Sequence, residues 1–540
     1  KHLEHERTFN QTWSSNQAVA TVAANGTLTG TGGIVPGYTD TVTAIRPLST
    51  STLSINPGLL YLISTAQNLS FGGVHRYNTW DINYDVYQSI SKNSHPGGNR
   101  GMTYQIENLG WTFTSSTDFT ERYYPTITQT AGPDVTSLSS YRSTSYNEND
   151  NIAWDKFLGS TLHVTRRFDT IVPTWIKAGI RTREQDRILE REFFNTQYVG
   201  ADRVSGRNPA TGINDDNLEL FGQANPKQGG KIARYPKYPY AATPGSGNQL
   251  VREVRASRPE WFQDNVAANT QNPLTGNQKF NEKITGLYIQ GNMDIGKLTV
   301  LGGVRVETTK VRAEGSRQNV SPAEAALRAA WVGPVTDAEQ RRRSTAEFSG
   351  RQTVTGEYRY VLPGLHFKYA PTKGLVTRLG YATNIGRPAI GTLIPTTNVN
   401  DTTRTVSISN PKLKPQTADN FDLTAEYYFE PAGLISAGVF LKEMRNFIFT
   451  SGGATIGAGQ DNGYDGQYVG YTLTSQYNGL SSRVRGLELN YQQQFTFLPG
   501  FWSGFGIFAN YTRLQAEGFY GAGGAISLTN NNTLPTSPTR

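Results

Sequence analysis

Six histidines, 28 tyrosines and no cysteine bound the chemistry open to this chain of 540 residues. Without thiols there is neither a disulfide nor a cysteine-held metal. His2, His5, His75, His95, His163 and His366 never fall at the His-x-x-x-His spacing that sets two imidazoles on one helix face, so no zinc site is expected. No Gly-x-Ser-x-Gly elbow and no phosphate loop occurs, and "GTGG" (30–33) and "GAGG" (521–524) read as plain loops. "DNGYDG" (461–466) has the acidic spacing of a calcium loop but lacks the later bidentate glutamate, so it reads as a solvated loop. No nucleophile–base pair emerges; neither an enzyme nor a cofactor is expected. The residues best suited to hold a ligand are Tyr464, Tyr468, Tyr471 and Tyr477, set among Gly and Asn in 450–482. Aromatic faces beside amide side chains suit sugars or aromatic chelators. Trp261 and Phe262 are candidates to join them. The same rings would equally serve to pack the loops together.

Those loops need a frame. Lys+Arg is 51 against Asp+Glu 43, a net +8 spread without a dense basic patch, so nucleic acid is not an expected partner. Hydrophobic residues are 36%, with no continuous apolar run of the ~18 residues a membrane-spanning helix needs. A membrane barrel escapes that test because its apolar residues occupy alternate positions. "NFDLTAEYYF" (420–429) shows the pattern: Phe421, Leu423, Ala425, Tyr427 and Phe429 fall on one face, Asp422, Thr424, Glu426 and Tyr428 on the other.

Such segments recur in pairs: 284–295 with 298–308, 356–369 with 375–385, 418–429 with 434–449, and 484–497 with 503–515. Gly296-Lys297, "APTKG", "EPAG" and "LPGFW" join each pair tightly, while about 309–355, 386–417 and 450–482 are long. Alternating short and long connections predict an up-and-down antiparallel meander with its short turns on one rim and its loops on the other. Segments 77–90, 102–114, 160–169 and 174–187 also read as strands, and 188–283 as very large loops. Tyr369, Trp175, Phe497, Phe501 and Trp502 cluster at the short turns, where a headgroup-level girdle needs aromatic rings. In the first insert, Ser321, Pro322 and Glu324 predict a capped helix over 321–331.

From about 284 to 515 the chain resembles the barrel of TonB-dependent receptors. "LTVLGGVRVE" (298–307), "YVLPGLHFKYAP" (360–371), "LGYATNIGRPAIGTLIP" (379–395), "NPKLKPQTADNFDLTAEYYFEPAGLISAGVFLKEMRNFI" (410–448) and "VRGLELNYQQQFTFLPG" (484–500) carry the resemblance. Arg387 and Pro388 match the family's Arg-Pro after a strand; Asn410, Pro411, Leu413 and Pro415 match its Asn-Pro-x-Leu-x-Pro before the next. All six read as structural, the prolines ending one strand and holding the approach to another extended. Lys442, Glu443 and Arg445 read as lumen or rim charges.

The resemblance implies an all-β transmembrane barrel of a 22-stranded family in the outer membrane of Gram-negative bacteria, with long extracellular loops. It implies import of a scarce nutrient (an iron chelate, cobalamin or an oligosaccharide) energised through TonB, which grips a segment preceding an N-terminal plug. A surface lipoprotein is a further partner the family allows. Plug and closing strands are not seen in 1–540; "KHLEHERTFN" lacks the apolar core of a signal peptide, and "NNNTLPTSPTR" reads as a loop. The expectation is the barrel portion of a longer receptor; the alternative is a plugless pore or a structural barrel.

Overall fold

A computed structural model describes residues 2–95, 99–115, 126–224, 239–241, 244–459, 462, 464 and 466–519. The "GAGG" loop, the final residues and half of "DNGYDG" lie outside these. One antiparallel sheet dominates, following thirteen strands: β1 (His2–Ser14), β2 (Thr52–Tyr77), β3 (Trp80–Ser94), β4 (Arg142–Phe168), β5 (Thr174–Tyr198), β6 (Gln278–Ile295), β7 (Leu298–Ser316), β8 (Arg351–Tyr369), β9 (Leu375–Gly386), β10 (Gln416–Phe429), β11 (Gly433–Arg445), β12 (Ser481–Gln494) and β13 (Gly506–Phe519). Each strand pairs with its neighbours in sequence, the meander expected from alternating connection lengths. Among the described residues the path ends at β1 and β13, which do not pair with each other.

The short turns lie on one rim and hydrogen-bond to one another along it. Arg167 N–H donates to Thr79 O (2.7 Å), Asp294 to Pro173 (3.0 Å), Ala370 to Lys297 (3.0 Å), Tyr428 to Gly374 (2.7 Å) and Gln494 to Ala432 (3.3 Å). Gly296 sits at φ +60° in one of the two-residue turns, a conformation glycine adopts without steric cost.

Strand register decides which residues share a face. Leu379, Leu423, Val439 and Leu487 are successive cross-strand partners on β9 to β12 and form one apolar row. Leu423 is 50% exposed and Val361, on the same face of β8, is 58% exposed. Exposed apolar rows running from strand to strand suit a lipid-facing band. Asp422, Thr424, Glu426 and His366 take the opposite, lumenal face.

Several expectations are corrected. The segment 77–90 is not one strand: the chain reverses at Asn78 and Thr79, with Asn78 at φ 45°, and the whole of β2 precedes it. The segment 102–114 divides around Asn108 (φ 58°) into Asn99–Ile106, which pairs with β2 and β4, and Gly110–Thr114, which joins a small outer sheet. The segment 434–449 stops at Arg445 because Asn446 turns at φ 55°. β4 and β5 run 27 and 25 residues, far beyond the about 9–11 that cross a bilayer. Their outer halves leave the membrane and meet the outer loops, where Tyr146, Phe194 and Tyr198 pack into an apolar core, and the alternation set by lipid on one side and lumen on the other fades there. The region 188–283 also holds two helices, α1 (Pro244–Ser257) and α2 (Val266–Gly276), the latter capped by Asn265 accepting from Ala268 N–H (3.0 Å).

The helix expected at 321–331 is α3 (Pro322–Ala330), with Ser321 Oγ accepting from Glu324 N–H (3.2 Å). A further helix, α4 (Asp337–Phe348), follows it, capped by Thr336 Oγ1 accepting from Glu339 N–H (3.3 Å). The Thr336-x-x-Glu339 spacing is a second capping signal in the same insert.

Candidate functional site: the outer loops and the upper lumen

The chain leaving β9 is directed inward. Arg387, the first residue past the strand, pairs with Glu307 of β7 and lies 3.9 Å from Glu282 of β6. Glu307 also takes Arg305 (2.8 Å), and Glu282 takes Arg183 of β5 (3.0 Å). Both carboxylates are nearly buried, so each needs the cations around it. Pro388 is buried next to this cluster in sequence. The short helix Ile390–Leu393 then lays Leu393 and Ile394 against Phe280 of β6 and Ala313 of β7. Phe280 and Ala313 are cross-strand partners, and Ala313 shares the lumenal side of β7 with Glu307. The loop therefore packs into the upper lumen instead of standing clear of it.

The second motif closes the same loop. Leu413 is buried in that apolar cluster, and its N–H donates to Asn410 O (3.2 Å). Asn410 Nδ2 donates to Gln476 O (2.9 Å), which ties the loop to the next outer segment. Pro411 is half-buried and Pro415 is buried, the latter accepting from Tyr360 Oη at 3.5 Å.

Above this floor stands a four-stranded outer sheet of Thr397–Asn400, Thr405–Ile408, Thr472–Asn478 and Ile448–Thr455. Three of the candidate tyrosines meet on it. Tyr464 packs edge-on to Tyr468 and Tyr468 against Tyr471, each pair with ring centroids 5.6 Å apart. Tyr471 Oη donates to Asp401 (3.1 Å), and the Arg404 guanidinium lies 5.3 Å from the Tyr471 ring centre. Burial pushes the Tyr468 phenol up to about 12, with Glu347 and Asp401 adding to it, and burial raises Tyr464 as well. Tyr477 stands apart, against Phe449 at 6.4 Å.

Trp261 and Phe262 are not brought to this layer. They flank Tyr198 at 6.5 and 5.3 Å in a separate outer core built on Leu53, Tyr104, Tyr141 and Tyr146. Glu443 and Arg445 pair with Arg483 (2.5 Å) and Asp419 (2.8 Å) at the outer rim, on the side of β11 that carries Val439, while Lys442 takes the other side. Sequence reasoning passed over Glu282, Glu307 and the polar side chains of α4, because a charge on a strand or an exposed helix gives no local sign of the partner it will meet.

Among the described residues no group of three or more His, Asp or Glu is placed to hold a metal ion. The arrangement is a wall with a folded outer cover, suited to non-covalent capture.

A family model described as "TonB dependent receptor-like, beta-barrel" matches residues 4–540. No curated protein matches. Among solved structures, the chain is similar to the ferric-catecholate import receptor Fiu from E. coli K12 (12% identity, 99% of this chain, 66% of that one, TM-score 0.37). It is also similar to the alcaligin outer-membrane receptor FauA from Bordetella pertussis (11% identity, 90% and 59%, TM-score 0.34) and to the siderophore receptor PiuA from Acinetobacter baumannii (12%, 92% and 60%, TM-score 0.35). The chain thus spans under two thirds of the length of each.

Proposed function

The chain belongs to the TonB-dependent receptor family, β-barrels of the outer membrane and receptors or transporters rather than enzymes, and on that premise we propose that it forms the wall and capture loops of an importer for a scarce nutrient energised through TonB. The observation that carries the reading is the inward fold of the 387–415 loop. It connects the outer sheet, through Asn410 and Leu413, to the lumenal wall at Glu282 and Glu307. A ligand held at the outer loops then borders directly on the passage. Tyr464, Tyr468 and Tyr471 are proposed as part of the capture layer, Tyr477 as a support beside it, Trp261 and Phe262 as packing of the separate outer core around Tyr198, and Arg387, Pro388, Asn410, Pro411, Leu413 and Pro415 as the frame of the inward loop. The partners proposed are the TonB complex, acting through a plug segment of the whole receptor, and the surrounding outer-membrane lipid.

The test is uptake of a labelled nutrient by cells carrying the full receptor, with and without TonB. Uptake that disappears without TonB supports the importer. Uptake that persists moves the assignment to a passive pore or scaffold.

A further inference from the structure

The outer loops enclose a hollow that the tyrosine layer does not explain. A cavity of about 380 Å³ lies between α2, α4 and the hairpin Thr397–Asn400/Thr405–Ile408. That volume is within the ~300–1,000 Å³ usual for small-ligand sites. Gln271 of α2, Arg328 of α3, Gln340, Arg343 and Glu347 of α4, and Asp401 at the hairpin tip make its polar wall. These come from three successive outer loops, and the loop after β11 abuts the hollow through the Tyr471–Asp401 hydrogen bond.

The wall is held in place before any ligand arrives. Arg328 is fixed by Glu324 (2.7 Å) and Glu347 (3.0 Å), and it donates to Arg343 O (3.0 Å). Arg343 Nε donates to Glu339 (2.7 Å). Gln318 Nε2 donates to the other oxygen of Glu347 (2.7 Å). One group is left over: Nη2 of Arg343 is buried and has no hydrogen-bond partner among the described residues. It has almost no accessible surface and does not open on the hollow, so a ligand would meet the other polar atoms of the wall.

The composition of the wall selects the ligand. Its two guanidiniums face two carboxylates, so it carries no excess positive charge for an anionic ferric chelate. It lacks the broad apolar surface a corrin ring would need. Carboxamides that both donate and accept, carboxylates that accept and guanidiniums that donate match hydroxyl groups, which do both. Phe348 adds an aromatic edge for the apolar side of a sugar ring. We infer that this hollow is an oligosaccharide-binding site. The inference rests on the capture reading of the outer loops and names the class of nutrient captured.

The full receptor, purified in mild detergent and fluorescently tagged, is applied to an array of neutral and uronic-acid oligosaccharides. Ferric citrate and a ferric catecholate are titrated in parallel by intrinsic fluorescence. The expected result is a glycan bound with an affinity that falls at least tenfold in Gln340→Ala and in Arg343→Met. Asp401→Asn, at an exposed position and conservative, guards against a folding defect and should weaken the same glycan severalfold. Failure to bind any glycan, glycan affinity unchanged in all three variants, or a ferric chelate whose binding falls with them overturns the inference. TonB-dependent uptake measured in the same strains tests the importer reading separately, since it can stand when the glycan fails.

Discussion

Arg387, one residue beyond the end of β9, forms an ion pair with Glu307 on β7, two strands away along the sheet. The contact draws the following loop over the upper lumen, where Leu393 and Ile394 find Phe280 and Ala313. A single arginine thus converts a strand end into an inward turn, with Glu282 as its second neighbour at 3.9 Å.

Replacing Arg387 with Met should leave two nearly buried carboxylates short of a cation. Because Arg305 and Arg183 remain, the loss should be about 1–3 kcal/mol, below the range for an unrelieved buried charge. Urea unfolding of the detergent-solubilised receptor measures it. In a double-mutant cycle with Glu307→Gln the two changes should couple; strict additivity would mean the pair does not hold the loop.

Leu423 and Thr424 are adjacent on β10 but face lipid and lumen respectively. Lysine at 423 should cost about 2–4 kcal/mol, as a charge at the middle of a lipid-facing strand does, whereas lysine at 424 should cost under about 1 kcal/mol. The folded fraction recovered from outer membranes would distinguish them, and equal tolerance would refute the assigned faces.

Ser321 caps α3 through Glu324 N–H. Ser321→Ala should cost about 1 kcal/mol of local stability. Hydrogen exchange over 322–330 should quicken by roughly fivefold with protection of β7 and β8 unchanged. No change over α3 would show that packing, not the cap, fixes the helix.

The Tyr468 phenol is pushed up to about 12 by burial, then by Glu347, Asp401 and its tyrosine neighbours. Its folded value exceeds the unfolded value of about 10, so its contribution to the fold is complete below pH 10 and is lost as the pH rises through 12. Ultraviolet titration of tyrosinate absorbance should show a group of late-ionising phenols, Tyr198 among them, whose amplitude falls by one tyrosine in Tyr468→Phe. An undiminished late amplitude would mean that the Tyr468 phenol ionises with the exposed ones.

Much of the barrel is local and therefore legible in the order of residues. Period-two alternation gave the barrel strands β6 to β13, though not the outer-sheet strands between them, because a strand with lipid on one side and a polar lumen on the other must alternate. Turn chemistry at Gly296-Lys297 and 430–433 placed the short rim, and Ser321-x-x-Glu324 marked a helix, since caps act over three residues. The outer halves of β4 and β5 escaped notice because the contrast of lipid and lumen ends where a strand leaves the membrane, and Tyr146 and Tyr198 pack into a core of loop residues instead. What the tertiary structure alone decided is which distant groups meet. It brought Arg387 to Glu307, gathered Tyr464, Tyr468 and Tyr471 while leaving Trp261 and Phe262 with Tyr198, and set Asp401 and Arg343 on the wall of one hollow. Those encounters depend on how four outer loops fold over a shared rim, and no spacing within one loop records where another will lie.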